Sequence, residues 1–189
     1  MTSSPLVRWS AITAPILLFV YGTFRLIDGL DGHHDKGGFL WKSGHVLFFI
    51  GFALFGALAV GIRGALTGLG PAGRLVANVA TAAALFGAAC FLWITVGDLS
   101  ESFQDSASLP AWLQIVGPVL FQLGVLTLLG QLVRARMIPA WSPVAMLLGF
   151  IAIAVSLDLI PVASLVVLIG LLPVAGVRLG RRRTASPLR

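Results

Sequence analysis

The sequence predicts an all-α integral membrane protein that folds as one bundle of six transmembrane helices. Apolar residues make up 58% of the chain, charged residues only 11%, and the mean hydropathy is +0.98. A soluble domain carries about 25% charged residues. Long uncharged stretches recur along the chain, and the charges between them alternate in sign. These three observations predict the fold class and the number of spans.

The first four spans are predicted from uncharged stretches that match the thickness of a bilayer. A helix needs about 20 apolar residues to cross the hydrocarbon core. The stretches predict spans at 9–27, 43–62, 75–97 and 111–133, and the first continues past Arg25, whose long side chain can snorkel toward water. Arg8 before an apolar run resembles a signal peptide. Because no small-residue cleavage site follows, we interpret span one as an uncleaved helix.

The last apolar stretch, Met137 to Val177, is too long for a single span. As one helix it would extend about 60 Å, twice the hydrocarbon thickness. Its one charge is Asp158, and Pro161 follows soon after. Because proline starts helices and breaks their interiors, a turn is predicted here, with spans at 139–157 and 160–178. Residues 1–180 would form one six-span domain, followed by a basic cytoplasmic tail at 181–189.

The charges between the spans predict the orientation of the bundle. Every arginine except Arg25 lies before span one, at or after an even-numbered span, or in the tail, and all seven acidic residues follow odd-numbered spans. Cytoplasmic loops carry the excess of Arg and Lys, so both termini are predicted to be cytoplasmic. The repeated pattern suggests three helical hairpins in tandem, although topology rules alone would also produce it. Abundant Ala, Gly and Arg suggest a GC-rich bacterial genome, and hence a bacterial plasma membrane.

Composition also limits the partners. The net charge is +6, but the basic residues lie in short gaps between spans and not on a folded soluble face, which excludes nucleic acid. The lipid bilayer is the expected partner, and a lipophilic small molecule or another membrane subunit is a further candidate. Small residues at four-residue spacing predict packing seams between helices. These are Ala53, Ala57 and Gly61 in span two and Ala80, Ala84 and Ala88 in span three.

Candidate site residues begin at the outer end of span one. Tyr21, Arg25 and Asp28 are spaced i, i+4 and i+7 and therefore share one helical face. An unpaired guanidinium near lipid is costly. Arg25 is therefore predicted either to pair locally with Asp28 or to bind an anionic head group or substrate carboxylate.

The loop after span one and the start of span two contain all three histidines. Imidazole and carboxylate groups bind first-row metals. However, the spacing of Asp31, His33, His34 and His45 matches neither an EF-hand nor the His-Glu-x-x-His motif. No metal and no cofactor are therefore predicted, and these four residues are the candidate ligands should a metal bind. His45 follows Ser43, a candidate N-cap, and is predicted to be shielded from water and hydrogen-bonded.

Spans three and four add polar residues at the same end. If span three continues past the lipid, a run of polar residues would line one face: Thr95, Asp98, Glu101, Ser102 and Asp105. Trp93 lies where interfacial aromatic residues occur. Span four carries Gln114, Pro118 and Gln122 on one face, and both amides are predicted to face the bundle interior. Together these features predict a polar pocket that opens on the extracytoplasmic side, with candidate ligand-binding residues Tyr21, Arg25, Trp93, Gln114 and Gln122.

The turn between spans five and six is predicted to lie below the outer surface. Span five measured from Pro143 to Leu157 would be about 22 Å long, compared with about 30 Å of hydrocarbon. Asp158 would then lie at the depth of Arg25, and we predict that the two residues meet in the same pocket.

The sequence leaves four classes of function open. A binding or accessory membrane protein requires only the bundle and a partner surface. A membrane-embedded enzyme of the cyclase, isomerase or hydrolase type could use lipid-shielded carboxylic acids as general acids. Its candidate catalytic residues are Asp28, His45, Asp98, Glu101 and Asp158. A transporter usually needs an ionisable group near the midplane, which the sequence does not offer. A metal or haem protein would depend on the histidines alone.

Overall fold

The structure is a computed structural model that describes residues 5–30 and 37–176. Within those ranges it is all-helical and contains no strand. The α-helices are α1 (Pro5–Asp28), α2 (Phe39–Ala65), α3 (Pro71–Leu99), α4 (Glu101–Ala107), α5 (Ala111–Arg134), α6 (Trp141–Val155) and α7 (Ile160–Ala175), and a 3-10 helix, η1 (Leu157–Leu159), precedes α7. The prediction of an all-α membrane bundle is confirmed at this level.

Five helical segments in the described ranges are long and apolar enough to cross a membrane. They are α1, α2, α3, α5 and the segment Leu157–Ala175, which joins η1 to α7. The remaining apolar helix, α6, has 15 residues. That length corresponds to about 22 Å, compared with about 30 Å of hydrocarbon. The chain therefore has the helices of a multi-pass membrane protein, with five of spanning length and a shorter sixth apolar helix. The tail at 181–189 lies outside the described residues.

Three helices begin earlier than the uncharged stretches predict, and the first of them, α1, begins at Pro5 and not at Trp9. The N-cap of α2 is Gly38, and Ser43, the predicted cap, lies inside the helix and donates a hydrogen bond of 2.5 Å to the carbonyl oxygen of Phe39. In α3 the helix begins at Pro71, where the missing proline N–H would have had no helical partner in any case. Charged Lys42 and Arg74 are thus part of the helices, not of the loops.

The break after α3 is the main departure from the predicted secondary structure. Ser100 has an extended backbone (φ −142°) and caps α4 by accepting a hydrogen bond from the N–H of Phe103. The predicted continuous face from Thr95 to Asp105 is therefore wrong, because the chain turns at Ser100. The short helix α4 instead packs back against α3, where Phe103 contacts Trp93 with ring centroids 5.2 Å apart.

Small residues let neighbouring helices approach closely, which matters because lipid does not drive helices together. Gly124 of α5 lies directly against Ala80 and Ala84 of α3. Gly149 of α6 lies against Val167 of α7. The seam predicted on span three is buried, whereas the seam predicted on span two is wrong at Ala53, which is exposed. Helix α1 packs between α2 and α7, and α3 packs between α2 and α5.

Phenylalanines from four helices fill the middle of the bundle. Phe52 of α2 lies 4.0 Å from Phe91 of α3 and 5.3 Å from Phe121 of α5. Phe121 lies 5.6 Å from Phe150 of α6. These distances are measured between ring centroids and fall in or near the range of favourable aromatic pairs. The phenylalanine core joins α2, α3, α5 and α6 below the polar end of the bundle.

Candidate functional site

The two ends of the bundle differ in charge. One end holds the end of α1, the start of α2, the end of α3, all of α4 and η1. It contains every acidic residue of the described ranges, namely Asp28, Asp98, Glu101, Asp105 and Asp158. We call it the acidic end. The opposite end, called the basic end, holds Arg8, Arg63, Arg74, Arg134 and Arg136. The separation of charge predicted between the loops is therefore present in the folded chain.

His45 is the centre of a polar cluster at the acidic end. It is 3% exposed, because α2 places it against both α1 and α3. Its Nδ1 lies 2.8 Å from the carbonyl oxygen of Trp41, and its Nε2 lies 3.6 Å from Oδ2 of Asp98. The indole N–H of Trp41 donates a hydrogen bond of 3.2 Å to the carbonyl oxygen of Asp98. The prediction that His45 is shielded and hydrogen-bonded is confirmed.

Helix α1 supplies the third side of this cluster. The rings of Tyr21 and His45 meet edge to face, with centroids 5.2 Å apart. The charge of Arg25 acts on the Tyr21 hydroxyl, and both Arg25 and Asp28 lie within electrostatic range of His45. The face predicted from the spacing of Tyr21, Arg25 and Asp28 thus points to α2 and α3. We call Tyr21, Arg25, Asp28, Trp41, His45 and Asp98 the His45 cluster.

The His45 cluster brings one permanent cation and two carboxylates next to an imidazole. Charges near lipid are expected to have partners, and Arg25 and Asp28 lie one helical turn apart on α1. The Nε atom of Arg25 is buried with no hydrogen-bond acceptor among residues 5–30 and 37–176. A second polar contact between α2 and α3 lies at the basic end, where Arg63 donates a hydrogen bond of 2.6 Å to Asn78.

A cavity of about 120 Å³ lies beside the cluster, between the end of α3, α4 and the start of α5. Asp98 lines it, and the Asp98 side chain is 33% exposed, whereas that of His45 is 4% exposed. Asp98 therefore connects the buried imidazole to a space that a ligand can reach. The aromatic rings of Trp93 and Phe103 and the amides of Gln104 and Gln114 also line the cavity.

Two of the predicted ligand-binding residues lie in this wall and bond to the backbone. The indole N–H of Trp93 donates to the carbonyl oxygen of Ala107 at 2.7 Å. The amide of Gln114 donates to the carbonyl oxygen of Leu109 at 2.9 Å. The prediction that Gln114 faces the bundle interior is wrong, since it is exposed. It lies in the first turn of α5, from which its side chain reaches back to the preceding loop.

Gln122 lies deeper in α5 and does not join the cluster through any hydrogen bond. Both polar atoms of its side chain are buried and have no hydrogen-bond partner among the described residues. Its amide therefore faces protein and not lipid, as predicted. Thr95, its expected neighbour, is buried and donates instead to the carbonyl oxygen of Phe91 at 2.7 Å.

Glu101 and Asp158 lie apart from the His45 cluster. Both are exposed. Asp158 belongs to η1, which packs against α1, yet in the described part of the chain it forms no ion pair with Arg25. The predicted pairing is not formed, because α6 ends at Val155 and the following turn leaves the Asp158 side chain exposed.

Two aromatic residues of the site were not predicted from the sequence. Trp41 lies one turn before His45, with ring centroids 4.2 Å apart, and its i, i+4 spacing from His45 was a usable signal. Phe103 reaches the cavity only because α4 folds back onto α3, which hydropathy does not indicate.

Residues 5–30 and 37–176 contain no group of three or more His, Cys, Asp and Glu side chains that could hold a metal ion. The candidate ligands Asp31, His33 and His34 lie outside these ranges, and His45 contacts Trp41 and Asp98. Chemically, the His45 cluster offers an imidazole–carboxylate pair for proton transfer, but it contains no serine, cysteine or lysine as a nucleophile.

The chain matches no protein-family model, no curated protein and no solved structure.

Proposed function

We propose that this chain is a six-span membrane protein that binds a small polar molecule or a lipid head group at its acidic end. Both termini are cytoplasmic in this proposal, because the positive-inside rule assigns the arginine-rich basic end to the cytoplasm. The three hairpins are α1 with α2, α3 with α5, and α6 with α7. The short helix α6 crosses where the bilayer thins locally or the helix ends are hydrated. The acidic end then opens on the outer side of a bacterial plasma membrane.

The contact between His45 and Asp98 is the observation that carries the proposal. It joins a side chain that is 4% exposed to one that is 33% exposed, and the exposed partner lines a cavity. A purely accessory bundle needs packing seams but no polar cavity, and most binding sites combine a concave surface with a few convergent polar groups. The geometry therefore supports a ligand-binding protein over a purely accessory role.

A membrane-embedded acid–base enzyme is the second candidate, and the same imidazole–carboxylate pair favours it. Without a serine, cysteine or lysine in the His45 cluster, the chemistry would be proton transfer, as in an isomerase or cyclase. The candidate catalytic residues would then be Asp28, His45 and Asp98. The exposed Glu101 and Asp158 would not take part.

Cysteine labelling tests whether the site is open to the outside. In a Cys90→Ala background, one variant carries Gln104→Cys beside the cavity and a second carries Ala135→Cys at the basic end; both positions are exposed. A membrane-impermeant maleimide added to intact cells should label the Gln104→Cys protein. The Ala135→Cys protein should react only after permeabilisation. The opposite pattern would reject the proposed orientation.

A stability screen tests binding itself. Purified protein and an Asp98→Asn variant are heated in nonionic detergent with a panel of small polar compounds and lipid head groups. We expect at least one class of compound to raise the melting temperature of the native protein and not that of the variant. A panel whose effects are equal in both proteins would contradict a binding site at Asp98.

A further inference from the structure

We propose that the cavity beside Asp98 binds an alkylammonium group. This inference rests on the proposed function, because it names the chemical class of ligand for the same site. The cavity of about 120 Å³ equals the liquid volume of about four water molecules. It suits a small head group and is too small for a drug-sized ligand, whose pockets measure about 300–1,000 Å³.

The walls of the cavity attract cations. Asp98 supplies a carboxylate, and Trp93 and Phe103 supply two aromatic rings inclined at 57° with centroids 5.2 Å apart. An ammonium group within about 6 Å of a ring centroid is attracted by the negative face of the ring. Among residues 5–30 and 37–176, those that line the cavity include no Lys, Arg or His.

The hydrogen bonds of the walls point to the same kind of ligand. The donors of Trp93 and Gln114 are directed to the carbonyl oxygens of Ala107 and Leu109. The Gln114 side chain therefore has its Oε1 acceptor left for a ligand. Gln104 and Ser108 also line the cavity and can turn an oxygen toward it. A ligand that donates hydrogen bonds and carries positive charge fits these acceptors better than an anion or a carbonyl compound.

Asp98 can serve both the cluster and the ligand. Its Oδ2 lies 3.6 Å from Nε2 of His45, which is longer than a direct hydrogen bond. Its side chain stays one-third exposed and lines the cavity, so that a cation in the cavity can approach it. The permanent cation of the cluster, Arg25, is on α1 and lies within electrostatic range of Tyr21.

An alkylammonium group has two natural sources, a soluble amine and the head group of an amine-bearing phospholipid. The cavity lies at the level of two exposed tryptophans, Trp93 (45% exposed) and Trp112 (62% exposed). Exposed tryptophans occupy the membrane–water interface. An ammonium group could reach this depth from either source.

The first test uses tetramethylammonium chloride as the probe and the full chain purified in nonionic detergent. Binding is measured from the melting temperature and from tryptophan fluorescence. Sodium chloride at equal ionic strength and tert-butanol, a neutral molecule of similar shape, are the reference solutes. We expect saturable binding of tetramethylammonium only. Asp98→Asn and Trp93→Leu should each weaken it by about tenfold, whereas the matched variants Asp105→Asn and Trp112→Leu should change it by less than about twofold.

The second test does not depend on the folding of the Asp98 variant. In the Gln104→Cys protein with Cys90→Ala, tetramethylammonium should slow the reaction with uncharged N-ethylmaleimide, whereas sodium chloride should not. The same reaction is measured in phosphatidylglycerol nanodiscs with and without phosphatidylethanolamine. Protection by phosphatidylethanolamine without added cation assigns the ligand to the lipid, and protection by the soluble cation with no effect of phosphatidylethanolamine assigns it to soluble amines.

Three outcomes would overturn the ammonium assignment: tert-butanol binds as well as tetramethylammonium, Asp98→Asn binds it unchanged, or neither source protects the Gln104→Cys protein. The proposed function would survive each of them if the impermeant reagent labels Gln104→Cys in intact cells and the compound panel finds another class that depends on Asp98. Failure of that labelling and of the panel would reject the proposed function itself.

Discussion

Replacing Gly124 by alanine should loosen the contact between α3 and α5. A Cβ atom at Gly124 would lie 2.5 Å from the carbonyl oxygen of Ala80 and 2.6 Å from the backbone nitrogen of Ala84. These are backbone atoms, so the clash can be relieved only by moving one helix away from the other. Overpacking of this kind costs about 1–3 kcal/mol. Alanine recovers up to about 1 kcal/mol of helix propensity relative to glycine.

Gly130 provides a matched control on the same helix. A Cβ atom there meets nothing within 4 Å, so Gly130→Ala should gain propensity without a clash. The free energy of unfolding should therefore be lower in Gly124→Ala than in Gly130→Ala by about 1–3 kcal/mol. Unfolding of both variants is followed by circular dichroism during titration of mixed micelles with sodium dodecyl sulfate. Equal stability of the two variants would refute the close packing of α3 and α5.

The described contacts give three further predictions. His45→Leu should lower the free energy of unfolding by about 0.6–2 kcal/mol, the range for polar contacts between membrane helices, whereas Ser43→Ala, whose hydroxyl bonds within its own helix, should have little effect in the same titration. Phe121→Ala should cost about 3–5 kcal/mol because its ring is 0% exposed, and Phe86→Ala, 47% exposed, should cost much less. Protein purified without added metal should contain no stoichiometric zinc, iron or copper by elemental analysis. A content of about one metal ion per chain that disappears in a His33→Ala variant would contradict this prediction.

The spans and the face of α1 could be predicted because each depends on local sequence. Apolar runs of bilayer length mark the helices, since uncharged residues are required in hydrocarbon over a known distance. Tyr21, Arg25 and Asp28 share a face through helical geometry alone. The burial of His45 followed from its position within an apolar run. None of these inferences required knowledge of which helix packs against which.

The break at Ser100 and the cavity could not be predicted from hydropathy. Polar residues beyond a span look the same to a hydropathy scale whether the helix continues or turns. A local signal was present, because Ser100 followed by Glu101 is a favourable N-cap with an acidic residue in the first turn. The consequence of the break is tertiary, because α4 folds onto α3 and brings Phe103 to Trp93. The same limit applies to Gln114, whose partner is a loop carbonyl oxygen and not the bundle interior.

The phenylalanines below the His45 cluster favour binding over transport. Phe48 links the cluster to the core, since its ring lies 4.7 Å from that of Tyr21 and 4.5 Å from that of Phe52. Phe52 and Phe121 are 2% and 0% exposed and lie between α2, α3 and α5. An ion or a polar solute that crosses a bundle needs polar groups or water along its way. Here the polar His45 cluster is followed, toward the middle of the bundle, by closely packed phenylalanine rings. Under the proposed function, a ligand that enters beside Asp98 would therefore leave on the same side, as expected of a binding pocket and not of a transport path.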